Sequence, residues 1–308
     1  MSGGAILGLD VGGTKTAIVV GTRGGQVIQR VEIPSGAGRG FTAMFEEVCV
    51  YAAAAIAKVP AIQAIGVAIG GPVDARQGVV DAPPHLPGWD RIQLAELLRG
   101  RFGRPAFVEH DAKASAIAEH RFGAGQDTQD MVFLTCGTGL GAGIIAGGRL
   151  VRGVKNAAGE VGHWRVAEDG PERYGKRGSW ESFASGGGIA ALARMRAPHV
   201  FCAETTARDV AERAANGDAD AIAVVAESGR GLGRGLALLI DALAPEMIVL
   251  GPLARRLGPA WLQAARTVID EEALPALALR CQIVPSGLGD ALGDVASLCP
   301  AIDALSMD

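Results

Sequence analysis

A chain of 308 residues, 49% of them hydrophobic but only 5% aromatic, is long enough for two domains, with cores built from Ala, Val, Leu and Ile. A formal charge of −4 without any long basic run argues against nucleic-acid binding; no apolar stretch approaches the length of a membrane span, and the N-terminal Met-Ser-Gly-Gly lacks a secretory signal pattern. Five scattered cysteines (Cys49, Cys136, Cys202, Cys281 and Cys299), with no Cys-x-x-Cys pair, suit reduced thiols in a cytoplasmic protein, and the 45 glycines fall in discrete clusters that mark turns rather than disorder.

In chain order, Ala5-Ile-Leu-Gly-Leu-Asp10-Val-Gly-Gly-Thr-Lys-Thr16 and the apolar run to Val20 predict two strands joined by a turn, because Gly12 and Gly13 weaken a helix and suit a tight turn. Val27 to Ile33 predicts a third strand and Phe41 to Lys58 a helix. Ala61 to Ile69 reads as a buried strand ending at Gly70-Gly71-Pro72, and Val73 to Asp81 as a short hairpin. Helices are expected over Ile92 to Phe102 and Ala112 to Phe122, with a short strand, Ala106 to Glu109, between them. Near Gly123 the pattern restarts: strand Met131 to Cys136, turn Gly137-Thr-Gly139, strand Leu140 to Ala146. This echo of the opening hairpin predicts an internal structural repeat with a boundary near residue 120. Gly153 to Gly188 is a long glycine- and charge-rich connection without periodicity, which in a compact domain is usually functional. Helices follow at Ile189 to Met195, Ala207 to Asn216, Ala219 to Leu243, Leu262 to Ala273 and Asp290 to Leu305, with strands at Met247 to Leu250 and Leu279 to Val284. Strands alternating with helices give an α/β class.

Several constellations carry chemistry. The opening turn offers bare backbone N–H groups, the hydroxyls of Thr14 and Thr16 and the ammonium of Lys15, which are the donors a polyphosphate takes; Asp10 at the strand end is placed to hold a hydrated Mg2+. An ordinary glycine hairpin with a chance acid has the same pattern. Thr135-Cys-Gly137-Thr138-Gly139 presents hydroxyls and bare backbone again, and two such turns could clamp one polyphosphate. In Glu109-His110-Asp111-Ala-Lys113, Asp111 sits where a strand gives way to a helix, suited equally to taking a proton from a substrate hydroxyl and to capping the helix. Glu160 and His163 in a glycine loop, with Glu181 beyond it, could hydrogen-bond the hydroxyls of a sugar or simply be solvated. The strand ending at Gly251 offers bare backbone to a purine or an ordinary strand-to-helix turn.

Taken together, these residues resemble the ROK family (repressors, open reading frames and sugar kinases) of the hexokinase–actin superfamily. The resemblance runs through Leu9-Asp-Val-Gly-Gly-Thr-Lys-Thr16, Gly66-Val-Ala-Ile-Gly-Gly-Pro72, Ala82-Pro-Pro-His-Leu-Pro-Gly-Trp89 and Glu109-His-Asp-Ala112. It continues through Gly137-Thr-Gly-Leu-Gly141, Ala158-Gly-Glu-Val-Gly-His163 and Pro245-Glu-Met-Ile-Val-Leu-Gly251. It implies two ribonuclease H-like α/β domains flanking a substrate cleft, over residues 1–120 and 121–289, with a final helix, residues 290–305, returning to the first. It implies Asp111 as catalytic base and Gly71, His110, Glu160, His163 and Glu181 as sugar contacts. Gly12, Gly13, Thr14, Lys15, Gly137, Thr138, Gly139 and Gly251 would contact ATP, and Asp10 would hold Mg2+ through water. A homodimer is implied as well.

Three departures from the family pattern stand out. Glu172, Tyr174 and Ser179 occupy the positions where many members carry zinc-binding cysteines, so no structural zinc is expected. His110 replaces a usual Asn, which either keeps the contact with little effect or alters the substrate preference, and His85 replaces another with a milder form of the same choice. Gly251 is followed by Pro252-Leu253 where more glycine is common. The phosphate hairpin starts within ten residues of the N-terminus, which favours the kinase branch over regulators with an added helix-turn-helix. The expected activity is ATP-dependent phosphorylation of the primary hydroxyl of a glucose-like hexose. The alternatives are a kinase for a modified sugar, amino sugar or cyclitol, or a non-catalytic sugar sensor.

Overall fold

In a computed structural model, which describes residues 4–306, the opening apolar runs form β1 (Ala5–Val11) and β2 (Lys15–Thr22), followed by β3 (Val27–Pro34). Helix α1 (Gly40–Lys58), β4 (Ile62–Ile69), the short pair β5 (Val73–Asp74) and β6 (Val79–Val80), α2 (Leu94–Phe102), β7 (Ala106–His110) and α3 (Asp111–Phe122) complete the first half. The second half holds β8 (Met131–Leu134), β9 (Ala142–Ala146), β10 (Arg149–Leu150), the pair β11 (Glu172–Arg173) and β12 (Lys176–Arg177), and helices α4 (Trp180–Ala184), α5 (Gly186–Arg196), α6 (Ala207–Ala215) and α7 (Ala219–Leu243). Then come β13 (Met247–Leu250), α8 (Pro252–Glu272), α9 (Pro275–Ala278), β14 (Gln282–Pro285) and α10 (Leu292–Ser306).

The chain divides into two units, one of residues 1–126, 150–158 and 290–308, the other of residues 127–149 and 159–289. Each is built on a five-stranded mixed sheet, in the order β3-β2-β1-β4-β7 in the first and β10-β9-β8-β13-β14 in the second. In both, an antiparallel hairpin (β1–β2, β8–β9) leads to parallel strands (β4 and β7, β13 and β14), so the repeat read from the sequence is one of topology.

Strand β1 alternates its side chains between two faces. Leu7, Leu9 and Val11 join Ile18, Val20, Ile65 and Val67 in a core covered by α1 and α2. Ile6, with Ala17, Val19 and Ala64, packs on Leu298, Ala301 and Ile302 of α10. Close approach there needs bare backbone: a Cβ on Gly66 would lie 2.4 Å from the Ser297 carbonyl oxygen. In the second unit, Val132, Leu134, Ile248 and Leu250 meet Leu232, Leu236, Ile240 and Trp261 of α7 and α8.

Four expectations are corrected. The 22 residues Ala37–Lys58 do reach the length and hydropathy of a membrane span. Helix α1 nevertheless sinks Met44, Val48, Ala52 and Ala55 into the first core, while Glu46 and Glu47 pair with Arg101 and Arg39 outside it, the pattern of a core-covering helix. Helix α8 starts at Pro252, ten residues early; Pro suits a first helical turn, and the break that hid it from the pattern is a kink at Gly258 (φ 71°). The last strand runs Gln282–Pro285, because Pro275–Ala278 forms a helical turn first. The stretch from Gly153 to Gly188 is also less irregular than it reads, since it contains β11, β12 and α4.

Candidate functional site

In the first unit, the residues singled out gather at the carboxyl ends of the three parallel strands, where open α/β sheets place their ligands. Asp10 is the last but one residue of β1, Gly70 and Gly71 follow β4, and His110 ends β7 with Asp111 directly after it. The opening turn is tight: the Gly12 N–H donates to the Lys15 carbonyl at 3.1 Å. Ser35, which the sequence reading missed, braces it. Its hydroxyl donates to the Gly12 carbonyl and meets the buried Thr16 hydroxyl at 2.8 Å, and its N–H donates to the Thr14 carbonyl at 2.9 Å. The loop carrying His85 lies directly on this turn. A Cβ on Gly13 would stand 2.7 Å from His85 Cβ, and one on Gly71 (φ +98°) 2.6 Å from Pro83 Cβ. Thr14 and Lys15 are exposed, and Lys15 Nζ pairs with Glu32 at 3.0 Å.

Asp10 lies against the first turn of α10, where a Cβ on Gly293 would come within 2.7 Å of Oδ2. Burial pushes its carboxyl up to about 6, the charges of Asp111 and Asp294 push the same way, and Lys15 and Arg30 oppose them. An acid held in this state suits a divalent cation. Among the described residues no three His, Cys, Asp or Glu side chains converge on one point. A single carboxylate at this place is enough to hold a hydrated Mg2+ through water, not to ligate a bare ion.

Asp111 is the first residue of α3, and the capping position falls to His110, whose Nδ1 accepts from the Ala112 N–H at 3.2 Å. The same N–H donates to Asp111 Oδ1 at 2.6 Å, and His110 Nδ1 lies 3.2 Å from that oxygen. One carboxylate oxygen is thus fixed, while the side chain is half exposed. Behind it, buried Glu109 accepts from the His110 N–H (2.9 Å) and Asn156 Nδ2 (2.7 Å) and pairs with Arg152 (3.2 Å). Buried Lys113 donates to the carbonyls of Asn156 (2.9 Å) and Ala158 (2.8 Å). These bonds tie residues 150–158 to the end of β7; the sequence held them only as polar residues next to Asp111.

In the second unit, the turn after β8 is closed by the Thr135 N–H donating to the Gly141 carbonyl (3.0 Å) and the Gly141 N–H to Thr135 Oγ1 (2.9 Å). The first N–H groups of α5, on Gly186 and Gly187, donate to the carbonyls of Gly137 (2.7 Å) and Thr138 (3.3 Å). Glu181 is buried with Oε2 accepting from the Leu140 N–H at 3.1 Å, so it is joined to the same turn. A Cβ on Gly162 would lie 2.2 Å from the Leu140 carbonyl oxygen and 3.5 Å from Glu181 Cβ, which brings the loop carrying Glu160 and His163, both exposed, beside Glu181. Gly251 presses on the start of the turn: its Cβ would stand 1.8 Å from the Thr135 carbonyl oxygen. Gly251→Ala is expected to destabilise the protein by about 1–3 kcal/mol through this overlap; an unchanged urea midpoint would show that the turn gives way freely.

The sequence model of the ROK family matches residues 6–295. A glucokinase of Halalkalibacterium halodurans is 30% identical over 307 residues, covering 93% of this chain and 92% of its own. A putative xylose repressor of Caldicellulosiruptor is 28% identical over 284 residues, covering 88% of this chain and 71% of its own. Among solved structures, a ROK family glucokinase from Streptomyces griseus, in complex with glucose and AMPPNP, superposes with a TM-score of 0.78 at 30% identity, over 96% of this chain and 98% of that one.

Proposed function

Because the chain belongs to the ROK family, we propose that it is an ATP-dependent sugar kinase, moving the γ-phosphoryl group of ATP to the primary hydroxyl of a glucose-like hexose. The observation that carries this reading is Asp111: it follows a parallel strand, it is fixed through Oδ1, and it lies close enough to Asp10 for their charges to repel. The glucokinase relative and the glucokinase solved with glucose and AMPPNP support the same chemistry.

In this reading Asp111 orients the sugar hydroxyl and takes its proton as the phosphoryl group transfers in line. His110, Gly71, Glu160, His163 and Glu181 bind the other hydroxyls. The turns at Gly12 to Lys15 and Gly137 to Gly139 contact the phosphates, with the Gly12 and Gly137 N–H groups closing the turns onto the Lys15 and Gly139 carbonyls (3.1 Å each) and the rest of each turn facing the ligand, and Gly251 lies toward the base. Mg2+ bound with ATP, held by Asp10 through water, would neutralise phosphate charge. His110 caps α3 with Nδ1, which leaves Nε2 for a sugar, a different donor arrangement from a side-chain amide. That difference keeps a modified sugar, amino sugar or cyclitol as the alternative acceptor.

The putative xylose repressor favours a second reading, a sugar-sensing protein without transfer activity. One experiment separates the readings: Mg-ATP with glucose, mannose, fructose, allose, N-acetylhexosamines and cyclitols, products identified by mass and sugar binding measured in parallel. A sugar phosphate is the expected result. Sugar binding with no phosphate product from any acceptor would refute the kinase and leave the sensor.

A further inference from the structure

Zinc does not fit the place where the family resemblance puts it. The Ser179 hydroxyl is buried and bonded to Ser182 at 2.7 Å, the Tyr174 ring lies under the Arg173 guanidinium, and Glu172 is exposed with Arg177 at 3.7 Å. The segment is instead a two-residue hairpin, pairing Glu172 with Arg177 and Arg173 with Lys176. Tyr174 (φ +49°) and Gly175 (φ +70°) form its turn, the backbone signature of a hairpin that matches strand twist.

The hairpin holds two of the proposed sugar ligands. Arg173 Nε donates to Glu181 Oε1 at 3.2 Å, so both oxygens of Glu181 are committed, one to a guanidinium and one to the Leu140 N–H. The guanidinium is steadied by the Tyr174 ring at 5.4 Å, and it passes so close to Gly187 that a Cβ there would stand 3.0 Å away. Lys176 Nζ donates to the His163 carbonyl, and the His163 ring lies 6.0 Å from that of Tyr174. A charge-assisted bond to a largely buried carboxylate fixes its direction, and a carboxylate that loses its partner is left with an uncompensated buried charge and no fixed direction.

We propose that Arg173 is a positioning residue for Glu181, and that the hairpin from Glu172 to Arg177 fixes Glu181 and His163 without a metal. This rests on the reading of Glu181 as a sugar ligand. In Arg173→Ala the KM for the sugar is expected to rise tenfold or more and the KM for ATP to stay within about twofold, while Tm falls because Glu181 keeps a largely buried charge with one partner fewer. Arg173→Lys should recover part of the loss, since the charge returns without the fork. Added methylguanidinium should restore sugar affinity to the alanine variant only. Should that variant not fold, Arg173→Lys takes its place and its sugar KM must rise. Prolonged dialysis against a chelator should change neither sugar affinity nor Tm. An unchanged sugar KM, or a change that neither lysine nor methylguanidinium relieves, overturns the role of Arg173, and stoichiometric zinc in the purified protein overturns the metal-free hairpin. A wild type that binds no sugar overturns the functional reading and this inference together; an active wild type with an indifferent alanine variant overturns the inference alone.

Discussion

Asp111→Asn is expected to lower phosphoryl transfer by about 10²–10⁴-fold while sugar affinity changes little. Asparagine keeps the size of the side chain and an oxygen that can accept from the Ala112 N–H, the bond that now fixes Oδ1 at 2.6 Å. It removes the capacity to take a proton. The informative comparison is therefore kcat against the Kd for the sugar, the second by calorimetry without ATP. If both fell together, Asp111 would be a binding group or a prop for α3. If neither fell, the general base would lie elsewhere. The Ala112 N–H is shared with His110 Nδ1 at 3.2 Å, so the helix start keeps one acceptor even if the asparagine oxygen turns away.

Asp10→Asn should separate stability from activity. The Asp10 carboxyl is raised from 3.8 to about 6, chiefly by burial and then by Asp111 and Asp294. Between those two values the native protein holds a proton that the unfolded chain has released. Stability from this group is therefore present at low pH, is lost as pH rises from about 4 to about 6, and stays lost above that. Asparagine has no charge to desolvate, so the variant should be more stable than wild type at pH 7.5, by about 1–3 kcal/mol after allowing for solvent near the group, with the gap closing toward pH 4. Transfer activity should fall sharply, since the amide no longer attracts hydrated Mg2+. Thermal unfolding of both proteins at the two pH values checks this. A variant less stable than wild type at pH 7.5 would mean that Asp10 contributes a stabilising bond in place of a strained charge. The trade is the one expected where a site keeps an unfavourable charge because it is used.

The strands and glycine turns were legible because their information is local. An apolar run closed by Asp10 and Gly12, or by Thr135 and Gly137, has few other ways to fold. Asp111 was legible as a strand-to-helix acid but not its exact place, because aspartate and histidine can both accept from the first helical N–H groups, and the structure gives that role to His110. The hairpin from Glu172 to Arg177 was not legible, since its four strand residues are all charged and show no alternation. It is held by Arg173, Lys176 and the Arg165 bond to the Arg177 carbonyl at 2.8 Å, contacts that depend on where Glu181 and His163 end up. Residues 150–158 return to the first unit through Lys113 and Glu109, about forty positions earlier, and no local pattern announces such a tie. Gly251 reads from the sequence equally as bare backbone for a base and as a strand-to-helix turn; what no local pattern announces is how closely its backbone lies against the Thr135 carbonyl.

Helix α10 is synthesised long after β1, β2 and β4, yet it covers one face of the sheet they form. Ile6, Ala17, Val19 and Ala64 leave the ribosome early, and Leu298, Ala301 and Ile302, which cover them, follow only after about 230 further residues. At 5–20 residues per second that face waits roughly 10–50 s during translation. For that interval the nascent first unit presents an apolar sheet face to the cell, which makes it a client for chaperones, while the second unit, complete by Gly289, can finish folding ahead of it. The unit begun first is finished last, and interrupted synthesis would release chains with that face bare.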